Sequence, residues 1–60
     1  MTTKEQIIEM FRDAGYDFLT AAEEATECLT RFHGSNLKKM RFGVMAGKKC
    51  VRVFELTKRA

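Results

Sequence analysis

Apolar positions in this chain change their period twice, and the changes divide it into elements. Ile7, Met10, Phe11 and Ala14 recur three and four residues apart, with Ile8 widening the stripe. That spacing places them on one side of a helix. Thr3-Lys-Glu-Gln6 precedes the stripe as a capping box, in which the Thr hydroxyl and the Gln side chain each satisfy a free backbone N–H. Gly15 follows it and takes the left-handed conformation that stops helices cheaply. The pattern predicts a first helix over Thr3–Ala14. A second stripe, Ala21, Ala25, Cys28, Leu29 and Phe32, follows Thr20-Ala-Ala-Glu23, a second capping box. It predicts a helix over Thr20–His33 that ends at Gly34. Between the two, Tyr16-Asp17-Phe18-Leu19 reads as an apolar linker that plugs the open end of the helix pair.

From Leu37 the period falls to two, and the stretch Leu37–Leu56 reads as a β-hairpin. Gly47 supplies the positive φ that a tight turn needs. A two-residue loop at Ala46-Gly47 pairs Val44 with Lys49, Phe42 with Val51, Met40 with Val53 and Lys38 with Glu55. Residues directly opposite share a face. The inner face then holds Met40, Phe42, Val44, Val51 and Val53. The outer face holds Leu37, Lys39, Arg41, Gly43, Cys50, Arg52, Phe54 and Leu56, with Arg41 opposite Arg52. A three-residue loop with a bulge at Gly47 instead buries Cys50 and Phe54 beside Phe42, and brings Arg52 with them. The two-residue loop sorts apolar from charged residues better. Neither helix can bury its stripe alone. The expected fold is therefore α+β, a single small domain over 1–60 in the order α-α-β-β, with two antiparallel helices packed on a C-terminal antiparallel hairpin.

Sixty residues leave room for one small core, for which 45% hydrophobic content suffices. No apolar run approaches the roughly 20 residues of a membrane span. The polar start MTTKEQ lacks the apolar core of a signal peptide, so the expected location is cytoplasmic, away from membranes. Cys28 and Cys50, far apart in sequence, are expected as free thiols. The polar tail Thr57–Ala60 is expected to fray.

Charge is strongly polarised. Residues 1–36 carry three Lys and Arg against seven Asp and Glu, a net −4; residues 37–60 carry eight against Glu55 alone, a net +7. The simplest account is internal, with acidic helices offsetting a basic hairpin. An electrostatic partner is the other. On the hairpin, Lys39, Arg41 and Arg52 lie along one face, with Lys48 and Lys49 at the tip. Cations spaced along a two-stranded ribbon can follow phosphates, and Phe54 among them can stack on an unpaired base. These six residues are the expected nucleic-acid contacts.

Other chemistries fare worse. Cys28, His33 and Cys50 lack the closely spaced pairs of a structural zinc site, so no metal or cofactor is expected. Cys28 and His33 stand five apart on one helix and do not face each other, so a thiol–imidazole pair is not expected either. An enzyme is not expected. A helix-turn-helix would aim Glu23, Glu24 and Glu27 at phosphates, across a linker longer than its usual tight turn. The leading expectation is a non-enzymatic module that contacts nucleic acid through a basic hairpin. The alternative is a regulator that binds a host protein, through the same face or through acidic helices that mimic nucleic acid. A homodimer through the hairpin would suit a chain this short, and Leu37, Phe54 and Leu56 offer an apolar strip for it. In general style — a short chain from Met1 with capped elements and no active site — it resembles the small accessory proteins that bacteriophages encode, including inhibitors of host defence.

Overall fold

The structure is a computed structural model that describes residues 2–58. Its elements are α1 (Lys4–Asp13), α2 (Phe18–His33), β1 (Lys39–Ala46) and β2 (Lys49–Thr57), an α+β arrangement in the order α-α-β-β. Arg59 and Ala60, half of the expected tail, lie outside the described residues.

The first capping box forms as expected. The Gln6 N–H donates to Thr3 Oγ1 at 3.2 Å, and the Thr3 N–H donates to Gln6 Oε1 at 2.9 Å. The expected stripe turns inward, with Ile7 and Phe11 buried and Ile8, Met10 and Ala14 packed around them. The second helix departs from expectation at its start. Asp17, not Thr20, is the N-cap, and its carboxylate accepts from the Thr20 N–H at 2.8 Å. That backbone hydrogen bond holds the Asp17 carboxyl below the usual carboxylate range. Asp is among the best N-cap residues, and capping here gains three more helical residues, most of a turn. The cost is that Phe18 and Leu19 are lifted to the surface, 56% and 73% exposed, so neither plugs anything. Tyr16 alone does that work, packed edge-on against Phe11 at 5.1 Å. Along α2, Ala21, Ala25 and Phe32 are buried, and Cys28 and Leu29 flank them.

The hairpin turns one residue later than expected and its register differs. Ala46 pairs with Lys49, leaving Gly47-Lys48 as the loop. Gly47 has φ +65°, as the first loop position of a II′-type turn requires. A Cβ there would meet nothing within 4 Å, so the demand is on the backbone alone. Gly47→Ala is expected to cost about 1 kcal/mol, the penalty of a left-handed L-residue. Urea unfolding checks this, and unchanged stability would contradict the turn.

A bulge follows. Met45 pairs with Cys50 but Val44 pairs with Arg52, so Val51 is the extra residue. Because side chains alternate, one inserted residue turns the remainder of β2 over. Phe42 therefore faces Phe54, and Met40 faces Leu56, on the inner side. Val51 and Val53, expected inside, are about half exposed, while Phe54 and Leu56, expected outside, are buried. The Leu37–Leu56 strip does not exist, since Leu37 is exposed and Leu56 is in the core. Lys38 pairs at the backbone with Lys58 rather than with Glu55. The inner face has the membership of the bulged alternative in Phe54 and Arg52, though the loop and bulge differ, and Cys50 is exposed.

Magnitudes explain the choice. Phe54 and Leu56 carry roughly five more carbons than two valines, about 4 kcal/mol of burial at about 0.8 kcal/mol each. A bulge forfeits one ladder hydrogen bond, about 1 kcal/mol net. The unbulged pairing would also set Glu55 beside Met40 in the core. The bulged one sets Arg52 there instead, and its long stem lets the guanidinium reach water and Asp13, 3.9 Å away.

The ends are tied down. Thr2 Oγ1 donates to the Glu55 carbonyl at 3.4 Å. Lys58 is anchored rather than frayed: its N–H donates to the Lys38 carbonyl, its ammonium donates to the Ser35 carbonyl, and it sits over the Phe32 ring at 5.2 Å.

Candidate functional site

The geometry of the cationic residues follows from where burial stops. Val44 is the last buried residue of β1 and Phe54 the first of β2. Every residue from 45 to 53 is therefore outside the core, and together they form the turn end of the hairpin, an arm whose base borders α2 at Met45 and α1 at Arg52 and Val53. Helix α1 stops at Asp13, which reaches Arg52 at the bulge. The arm, MAGKKCVRV, contains Lys48, Lys49 and Arg52 and no carboxylate.

The expected contact residues do not share one face. Lys39 and Arg41 point outward from the sheet, opposite Thr57 and Glu55. Lys48 is in the loop and Lys49 beside it, both exposed. Arg52 is on the helix side of the sheet. Arg41 is thus not opposed to Arg52, and the like-charge pair expected between them is absent. Each has an acidic neighbour instead. Arg41 lies 4.0 Å from Glu55, and Arg52 lies 3.9 Å from Asp13. Three of the four side chains are more than half exposed and Glu55 is 44% exposed, and such surface pairs are worth about 0–1 kcal/mol. Anionic ligands can therefore compete for both arginines at little cost.

Phe54 leaves the set. It is 7% exposed, stacked on Phe42 at 5.5 Å and edge-on to Phe11 at 6.5 Å. A ring held in the core has no free face for a base. Sequence reasoning assigned it outward because both phases of β2 carry two large apolar residues and one arginine or glutamate.

Residues to which sequence reasoning assigned no part in the contact also reach the surface here. Met45, Val51 and Val53 are exposed on or near the arm. Cys50 is exposed and its thiol donates to the Arg52 carbonyl at 3.4 Å. Gly43 leaves room for that sulfur, since a Cβ in its place would stand 3.2 Å from Cys50 Sγ. Cys28 differs: burial pushes its thiol pKa up, and Glu24 adds to the shift, so it stays protonated near neutrality. Among the described residues no three His, Cys, Asp or Glu side chains come together as metal ligands. Nor is any described helix long and apolar enough to cross a membrane.

The connection between the helices is shorter than expected, four residues from Ala14 to Asp17. Linker length thus no longer separates the pair from a helix-turn-helix. Charge still does, because Glu23 and Glu27 are exposed on the outer side of α2. Comparison with known protein families, with curated proteins and with solved structures returns no match to this chain.

Proposed function

We propose that the protein is a non-enzymatic binding module that contacts nucleic acid through the arm formed by residues 45–53. The observation that supports this is the arm itself, a two-stranded ribbon outside the core with Lys48, Lys49 and Arg52 and no acidic residue. Ribbons of this width can enter a groove, and cations at a tip can reach phosphates on both of its walls. Lys39 and Arg41, further along the outer face, extend the contact. Phosphate contacts alone carry no base preference, so binding to many sequences is the expected mode. Titration of a duplex and a single strand at low salt tests this, and no binding to either would contradict it.

A second reading has an observation of its own. Met45, Val51 and Val53 place apolar surface among the cations, which suits a protein partner better than phosphate. In this reading the chain is a phage-type regulator of a host protein. A partner captured by the arm would then survive nuclease treatment and moderate salt, whereas nucleic-acid binding would not.

A further inference from the structure

The helices cover one face of the sheet, and the opposite face is open. It carries Val53 and Met45, with Val51 at the bulge, and Lys39, Arg41 and Glu55 beside them; at the sheet's edges Met45 also borders α2 and Val53 borders α1. The outer side of α2 is its counterpart in charge. Leu19, Ala22, Thr26 and Thr30 recur at helical spacing along a shallow trough, with Glu23 and Glu27 in its wall. Leu19 is 73% exposed, the most exposed of the large apolar residues among the described residues. One surface is therefore apolar and basic, the other apolar and acidic, and both belong to every copy.

We infer that the open face of the hairpin takes α2 of a second copy of this chain, head to tail. Charge decides between the copies' surfaces. Two hairpin faces brought together would set two net positive surfaces against each other, since Glu55 offsets only one of Lys39 and Arg41, and two α2 faces would oppose Glu23 and Glu27 with the same carboxylates. Only the mixed contact pairs Glu23 and Glu27 with Lys39 and Arg41. Lengths agree too. Leu19 to Thr30 spans about 17 Å at 1.5 Å per residue, and Lys39 to Met45 spans about 20 Å at 3.3 Å per residue. The contact covers the second side of a two-stranded sheet, which a single layer of helices leaves exposed. It is heterologous, so it repeats from copy to copy rather than closing on a two-fold axis. Lys48, Lys49 and Arg52 lie at the tip and on the other side of the sheet. The inference therefore stands whether or not the arm binds nucleic acid.

Two variants test it. E23K/E27K removes the acidic surface, and R41E/V53D removes the basic one; all four residues are exposed. Circular dichroism checks that both fold, and sedimentation equilibrium measures mass. The wild-type mass should rise above 6.9 kDa with concentration and return toward it as salt increases. Each variant alone should stay at 6.9 kDa. Mixed in equal amounts, they should associate again, because the unaltered hairpin of one meets the unaltered α2 of the other and the reversed charges of the altered surfaces also match. A wild type that remains monomeric at millimolar concentration would overturn the inference. So would self-association of E23K/E27K alone, which would mean that two hairpins meet each other.

Discussion

Phe54→Asp is expected to unfold the protein, while Val53→Asp, one residue away, is expected to fold with stability within about 1 kcal/mol of wild type. The contrast follows from the bulge. Phe54 is buried between Phe42 and Phe11, and Val53 is 56% exposed on the open side of the sheet. Removing a buried Phe costs about 3–5 kcal/mol before any charge is considered. A carboxylate in its place adds several more, unless the group takes up a proton. Sixty residues supply about 3–9 kcal/mol in all, so the sum exceeds what the fold can lose. At Val53 the change gives up only strand preference, a scale about 1 kcal/mol wide. Urea denaturation followed by circular dichroism reads both. The reverse order, with Val53→Asp unfolded and Phe54→Asp folded, would place the other phase of β2 in the core.

The second large effect is on binding. Reversing the arm's charge with K48E/K49E/R52E should reduce affinity for both duplex and single strand by at least about 100-fold at low salt. All three residues are exposed, and the Asp13 contact that R52E gives up is worth about 0–1 kcal/mol, so circular dichroism should show the variant folded before binding is read. For the wild type, three to five neutralised phosphates give a slope near −0.9 per contact in log affinity against log salt. Affinity for duplex should then fall about 40- to 500-fold between 50 and 200 mM salt. Lys39 and Arg41 set the upper end of that range, and K39E/R41E should flatten the slope without abolishing binding. Unaltered binding by the arm variant would assign the contacts elsewhere. A wild-type affinity insensitive to salt would favour an apolar protein contact through Met45, Val51 and Val53.

The elements were legible because their signals are local. Thr3 and Gln6 are three residues apart, and the box they form needs nothing from the rest of the chain. The stripes of α1 and α2 and the inward Met40, Phe42 and Val44 were equally plain, since each has polar residues in the other phase. The start of α2 was misjudged because Asp17 and Thr20 both make good caps, and only the backbone path out of Gly15 decides between them. The second strand's span was legible, but which of its faces turns inward was not. Val51 and Val53 in one phase and Phe54 and Leu56 in the other compete nearly evenly, and each phase carries a charge. What settles the matter is not local: Phe11 on α1 offers an edge to Phe54, and Asp13 receives Arg52. The same ambiguity moved the candidate site. Phe54 was lost to the core, the arginines separated onto opposite faces, and an apolar patch surfaced that periodicity had assigned to the interior.

The pairing of β1 with β2 therefore governs both the core and the arm, and proton NMR reads it directly. Lys38 and Lys58 form a hydrogen-bonded pair, so Arg41 with Glu55 and Gly43 with Val53 are the non-hydrogen-bonded pairs, whose backbones approach most closely. Strong Hα–Hα cross-peaks are expected between Arg41 and Glu55 and between Gly43 and Val53. Cross-peaks that join Phe42 to Val51 and Met40 to Val53 in their place would contradict the register, and with it the arm.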